Sequence, residues 1–434
     1  MASYTFYAWW DYRFLALIFI STFIDFTIGH LLEKTVEKKR KALLWFSITT
    51  NLGILFLFKY FNFFIESLTI CLETAGIKLN TTSLEIILPV GISFYTFQTL
   101  SYTIDVYKRK IDSEKSFIVF AAFVSFFPQL VAGPIERASN LLPQFHSPRI
   151  FTYRRGSQAL KLILWGLFKK VVVADNCAVF SDIAFSEFNT LSSLELIFGA
   201  IFFSVQIYGD FSGYSDIARG SAKLLGFDLM ENFKAPYFST TINEFWNKWH
   251  ISLSSWFRDY VYIPLGGNRI NPNRTVVNIF IVFLISGIWH GAGWNFIVWG
   301  ALHGILLVTY NYFSKSMLST VRIHKSISMF FVFMLVTTTW IFFRAENLGH
   351  AFIYLDAILS NQFFPVDNKL LKIYMALILC VGFVLEYHFG RVGNVFALNK
   401  STPIVYKFSL YYLIVFMILL FGRFNETPFI YFQF

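Results

Sequence analysis

The segment Ser286-Gly287-Ile288-Trp289-His290-Gly291-Ala292-Gly293-Trp294-Asn295-Phe296 sets one histidine between two tryptophans, with three glycines around it. It lies in a long apolar run, residues 275–299. An ionisable ring at bilayer depth is costly, so a histidine retained there is a candidate functional group. Gly287 and Gly291 are four residues apart, a spacing that lets another helix approach closely. Gly291 and Gly293 are expected to loosen the helix and leave room for a ligand beside the ring. The alternative is an interior histidine bonded to a neighbouring helix.

The rest of the chain supports a membrane setting. Of its 434 residues, 56% are hydrophobic, 20% aromatic and only 14% charged. A soluble domain carries roughly 25% charged residues. Repeated apolar runs of bilayer length predict an all-α, polytopic integral membrane protein. About ten or eleven helices are expected, counting re-entrant and amphipathic segments, in a single integral-membrane domain over residues 1–434. The net charge of +10 suits basic loops that set topology and meet anionic lipid. A nucleic-acid partner would need a basic soluble face, and no such domain is visible. Cys71, Cys177 and Cys380 are scattered, and no His-Glu-x-x-His motif occurs, so no metal is expected.

Tyr7, Trp9, Trp10 and Tyr12 form an aromatic belt before a first span at residues 14–32. Lys34, Lys38, Lys39, Arg40 and Lys41 then mark the cytoplasmic side. Residues 42–64 return outward, and Asn80-Thr81-Thr82 in the next loop matches a glycosylation acceptor. Residues 84–106 read as a span kinked at Pro89 and Gly91, and residues 116–132 as a broken or re-entrant segment. Lys169 and Lys170 fall in mid-run within residues 159–180, which predicts a tilted helix with both side chains snorkelling. Asp216 and Arg219 are three apart and are expected to pair on one helix face. In residues 240–274, Trp246, Trp249, Leu253, Trp256, Phe257 and Tyr260 recur at helical steps, predicting one amphipathic helix. Further spans are expected at 326–343, 370–386 and Ile404–Phe421.

His290 and His250 are the pair to weigh. A neutral imidazole can take a proton from a hydroxyl and return it, typically contributing on the order of 10² to 10⁴ in rate. Ser254 and Ser255 lie close to His250, but no Gly-x-Ser-x-Gly elbow surrounds them. No phosphate-binding glycine loop is present, so a phosphate-bearing donor would rely on loose basic side chains; Lys248, Arg258 and Arg269 are the candidates. His303, thirteen residues after His290, would point to another face of one straight helix and is read as a packing residue.

Residues 246–269 followed by Ser286-Gly287-Ile288-Trp289-His290-Gly291 resemble the membrane-bound O-acyltransferase family, in the branch of the membrane subunit of bacterial alginate O-acetylation. Residues 127–137, Tyr208-Gly209-Asp210-Phe211-Ser212-Gly213-Tyr214-Ser215-Asp216 and residues 428–434 also look like that branch. The resemblance implies a helical fold thinnest at its centre, with openings from both sides. It makes His290 the essential histidine and His250 the second functional one. It further implies acetyl transfer toward hydroxyls of an exported, alginate-like polysaccharide, in a bacterial inner membrane, with extracytoplasmic partner proteins. Acetyl-coenzyme A would be the donor, entering from the cytoplasm, and Trp289, Trp294 and Asn295 would line the pocket. Two alternatives stay open: D-alanyl transfer to teichoic acid, and a transporter or flippase without covalent chemistry.

The stretch 2–11 looks like one that follows an earlier hydrophobic segment in that family. An in-frame upstream start encoding about 20 or more mostly apolar residues is therefore expected. Intact-mass measurement of the native product should then exceed 50.4 kDa.

Overall fold

The computed structural model describes residues 1–78, 84, 86–131, 133–316, 324–364, 382, 386, 403–424 and 429–430. The regular structure is helical throughout, with no strand among the described residues. Seven helical stretches among them are long and apolar enough to cross a membrane, and Phe117–Leu130 and Leu348–Ser360 are shorter apolar helices. The span expected at 370–386 and the acceptor Asn80-Thr81-Thr82 lie outside the described residues, apart from Gly382 and Glu386. The sequence reads as one integral-membrane domain; the chain packs as two compact units, Met1–Phe151 with Leu225–Met230, and Thr152–Leu224 with Glu231–Phe434.

In the first unit α1 (Ala2–Asp11) leads through a short turn into α2 (Leu15–Lys34). Next, α3 (Glu37–Leu55) continues through a π-helical turn, Phe56–Tyr60, into α4 (Phe61–Thr74). The kinked span expected at 84–106 is instead a shorter helix, α5 (Ile92–Tyr107). The chain before it is not helical, because Pro89 cannot continue a helix and Gly91 takes φ +76°. A β-carbon on Gly91 would also press on the Leu130 carbonyl. The broken segment expected at 116–132 is two short helices, α6 (Phe117–Val124) and α7 (Phe127–Leu130), and α8 (Ala138–His146) follows. Not all of the basic run at 34–41 is loop surface. Arg40 is buried and donates to the carbonyls of Leu32 and Tyr107, each at 2.6 Å. A cation there complements the C-terminal ends of α2 and α5.

The second unit is arranged on α11 (Ser193–Leu224), the longest helix. Against it lie α9 (Tyr153–Leu167) and α10 (Asp175–Ser186), joined by a π-helical turn at Phe168–Ala174. The snorkelling expected of Lys169 and Lys170 is wrong. Lys169 is buried and donates to Asp216 Oδ2 at 2.7 Å and Ser212 Oγ at 2.9 Å. Lys170 Nζ lies 2.9 Å from both Asp175 and Asp210. Acids on the neighbouring helix neutralise the lysines in place, so their ammonium groups need not reach the lipid headgroups. The Asp216–Arg219 pair forms as expected, at 3.1 Å, but it belongs to this larger network. The C-terminal end joins too: the Ile430 amide donates to Asp210 at 2.8 Å.

Candidate active site

The expected amphipathic helix over 240–274 is broken at His250. Its first piece, α12 (Ile242–Lys248), begins at Thr241, whose hydroxyl accepts from the Glu244 amide at 3.0 Å. Its second, α13 (Ile251–Phe257), runs on through a π-helical turn at Arg258–Tyr262. Between them His250 takes φ +43° and ψ 55°, the left-handed region. For a residue other than glycine this costs of order 1–3 kcal/mol, and such positions cluster at active sites. Aromatic periodicity runs straight through the break, which is why the sequence reads as continuous.

Asn232 holds the strained turn. Its carbonyl accepts from the Ile251 amide at 2.9 Å, and its Oδ1 accepts from the Ser252 amide at 3.2 Å and hydroxyl at 2.8 Å. The Lys234 amide adds a bond to the Lys248 carbonyl at 3.0 Å. Nothing in the sequence signals this role, since a lone asparagine between helices carries no periodic signal.

The run over 275–299 is also two helices. α14 (Pro272–His290) starts with Asn271 accepting from the Arg274 amide at 2.8 Å and with Pro272 in its first turn. It ends at His290, and Gly291 is extended. The next helix, α15 (Trp294–Ser316), folds back on it. A methyl group on Gly287 would overlap the Phe296 carbonyl, and one on Gly300 the Phe283 carbonyl. Glycine therefore permits the close approach foreseen for Gly287, with α15 as the partner. The space expected beside Gly291 for a ligand is filled by the Phe296 ring.

These two breaks bring His250 and His290 together. Both are buried, with ring centroids 6.5 Å apart. That exceeds the roughly 5.5 Å within which two imidazoles share a direct hydrogen bond. Trp289 stands beside both, 5.9 Å from His250 and 4.8 Å from His290. Trp299 and Phe343 close on His290 at 5.0 and 5.3 Å, and Phe211 on His250 at 4.6 Å. Neither nitrogen of His250 has a hydrogen-bond partner among the described residues. His250 lies outside the membrane-crossing helices, and burial pushes its imidazole down to about 3, so the ring is neutral at physiological pH.

The other expected site residues scatter. Asn295 is buried, and its amide donates to the carbonyls of Phe342 and Ala345, at the end of α16 (Lys325–Arg344). These bonds pin the start of α15 to the end of α16. Trp294 is 55% exposed, unlike Trp289 at 4%. Lys248 is held by Glu244 at 2.6 Å, Arg258 pairs with Asp259 at 2.9 Å, and Arg269 is exposed. His303 is fully buried, 2.9 Å from the Thr339 hydroxyl, and shares Trp299 with His290 at 4.9 Å. The hydroxyls of Ser254 and Ser255 donate to the carbonyls of Trp249 and Ser252. Among the described residues no three His, Cys, Asp or Glu side chains converge as a metal site.

Two cavities border residues of this aromatic layer. One, of about 300 Å³, is lined by Trp246, Ile251, Ser254, Arg258 and Ser286, so it touches the residue after His250 and the turn before His290. The other, of only about 40 Å³, is lined by Trp165, Lys169, Tyr208, Tyr237 and Glu386. Tyr208 and Tyr237 lie 6.2 and 5.9 Å from Trp249, the neighbour of His250.

Long apolar helices and two buried histidines in one aromatic layer define a polytopic membrane protein with a candidate reaction site in its interior. The membrane-bound O-acyltransferase family model matches residues 4–345, and the chain belongs to that family. It is a multi-pass membrane O-acyltransferase. It is 41% identical over 350 residues to the probable alginate O-acetylase AlgI of Pseudomonas putida, covering 80% of this chain and 71% of that protein. It is 37% identical over 382 residues to the peptidoglycan O-acetyltransferase of Helicobacter pylori, covering 81% of this chain and 71% of that protein. Identity to the teichoic acid D-alanyltransferase of Bacillus subtilis is 29% over 240 residues, 52% of this chain and 60% of that protein.

Proposed function

We propose that the protein moves acetyl groups from a cytoplasmic thioester donor, acetyl-coenzyme A, toward hydroxyls of an exported polysaccharide, in a bacterial inner membrane and with extracytoplasmic partner proteins. The observation that carries this reading is the pair of buried histidines 6.5 Å apart, enclosed by aromatic rings. The His290 ring accepts the acceptor's hydroxyl proton as the oxygen attacks the acetyl carbonyl. The C–S bond breaks, and His290 returns the proton to the departing thiolate, so no net proton is consumed. His250 orients donor or acceptor, and the surrounding aromatic rings exclude the water that would hydrolyse the thioester. The cavity of about 300 Å³ offers room for the thioester end of a donor, and Arg258 stands on its wall to meet phosphate. Acetyl is favoured over D-alanyl by the higher identity and coverage of the O-acetylating relatives.

The test is transfer of radiolabelled acetyl from acetyl-coenzyme A by the purified protein, reconstituted with an extracytoplasmic acceptor. Labelled product supports the reading; a protein that moves solute and leaves no covalent product is a transporter. In the same assay His250→Ala should lower turnover at least tenfold, and Asn232→Ala should follow it. Asn232→Asp, which keeps the acceptor for Ser252, should recover most of the loss. Ser254→Ala and Ser255→Ala should lose far less. An acyl-enzyme trapped on either serine would rule out direct transfer.

A further inference from the structure

Three helices of the first unit each contribute two buried polar residues one turn apart: Ser21 and Asp25 on α2, Ser47 and Asn51 on α3, Thr99 and Thr103 on α5. Their side chains meet at one point. Ser47 Oγ donates to Asp25 Oδ1 at 2.5 Å, Thr103 Oγ1 to the same oxygen at 3.2 Å, and Asn51 Nδ2 to Oδ2 at 2.8 Å. Ser21 Oγ donates to Asn51 Oδ1 at 2.8 Å, with Thr99 Oγ1 at 3.4 Å from that oxygen. Asp25 sits midway along a membrane-length helix, is 0% exposed, and has no basic side chain paired with it among the described residues.

A carboxylate at that depth does not stay ionised without a compensating charge, and hydroxyl donors do not supply one. Either a proton or a small cation must. The ligand set favours the cation. Two carboxylate oxygens, an amide oxygen and four hydroxyls form an oxygen-rich cluster, the chemistry that hard cations select. A single negative charge matches a monovalent ion, since a divalent one would leave a net charge in the bilayer. The oxygens are hydrogen-bonded to one another at 2.5 to 3.4 Å, so the hydroxyls must turn their protons away to admit an ion, and a small ion displaces them less than a large one. We infer that Asp25, Ser47, Asn51 and Thr103, with Ser21 and Thr99, bind one Na⁺ ion between α2, α3 and α5. The ion locks the three helices together.

The full chain, purified in detergent, should show a thermal midpoint that rises with NaCl and saturates. The rise should be smaller in KCl and absent in choline chloride at equal ionic strength. Ser47→Ala should raise the half-saturating Na⁺ concentration at least tenfold, and Asp25→Asn should remove the response. Binding of ²²Na⁺ to the wild-type protein, displaced by unlabelled Na⁺ and not by choline, decides the matter if Asp25→Asn does not fold. Equal midpoints in NaCl and choline chloride together with no ²²Na⁺ binding would overturn the inference, leaving a protonated carboxyl in a purely structural cluster.

Discussion

Purified His290→Gln protein should insert, purify and melt like the wild type, yet transfer acetyl on the order of 10² to 10⁴ times more slowly. Glutamine fills a similar volume and keeps polar atoms near Trp289 and Trp299, but it cannot take up a proton at neutral pH. His290 is the last residue of α14, so the substitution leaves the α14–α15 glycine contact untouched. Turnover and thermal midpoint must therefore be read on the same preparation. Wild-type turnover in a folded His290→Gln sample would remove His290 as the general base.

Lys170→Met should have the largest effect on stability. Its ammonium lies 2.9 Å from both Asp175 and Asp210, whose side chains are 5% and 4% exposed. Methionine fills much of the space but leaves two carboxylates facing each other with no cation between them. Breaking a buried pair by removing one partner costs about 3–5 kcal/mol. The outcome should be little folded protein in detergent and a clear drop in melting temperature. Adding Asp175→Asn and Asp210→Asn removes the stranded charges and should restore most of the loss. If Lys170→Met alone melts within a degree or two of wild type, the lysine is not what neutralises those acids.

The sequence made different parts of the molecule legible for physical reasons. Hydropathy set the membrane class, and α16 and the last described helix, Ile404–Phe421, fall where the apolar runs place them. The motif around His290 pointed to that residue because a buried ionisable ring among glycines is rare. What the sequence hid was phase and partnership. The π-helical turns at Phe168–Ala174 and Arg258–Tyr262 leave hydropathy unchanged while rotating the side chains that follow them. Lys169 and Lys170 therefore looked like lone cations, though their main acidic partners lie about forty residues on, at Asp210 and Asp216. The break at His250 has neither glycine nor proline to announce it. Asn232, which supports that break, sits in a connecting segment where polarity alone says nothing.

The left-handed backbone at His250 also filters the mutational spectrum at that codon. A single base change in a histidine codon yields Asn, Asp, Gln, Tyr, Leu, Pro or Arg. Most of these are poorly suited to φ +43°, and asparagine and aspartate are the ones that tolerate it well. Aspartate would bury a new negative charge among Phe211, Phe233 and Trp289. Asparagine adds none. Alleles that silence transfer at position 250 while leaving a folded protein in the membrane should thus be dominated by asparagine. In a lineage that stopped acylating its polymer, this codon would drift first to asparagine, while the aromatic layer around it stayed intact.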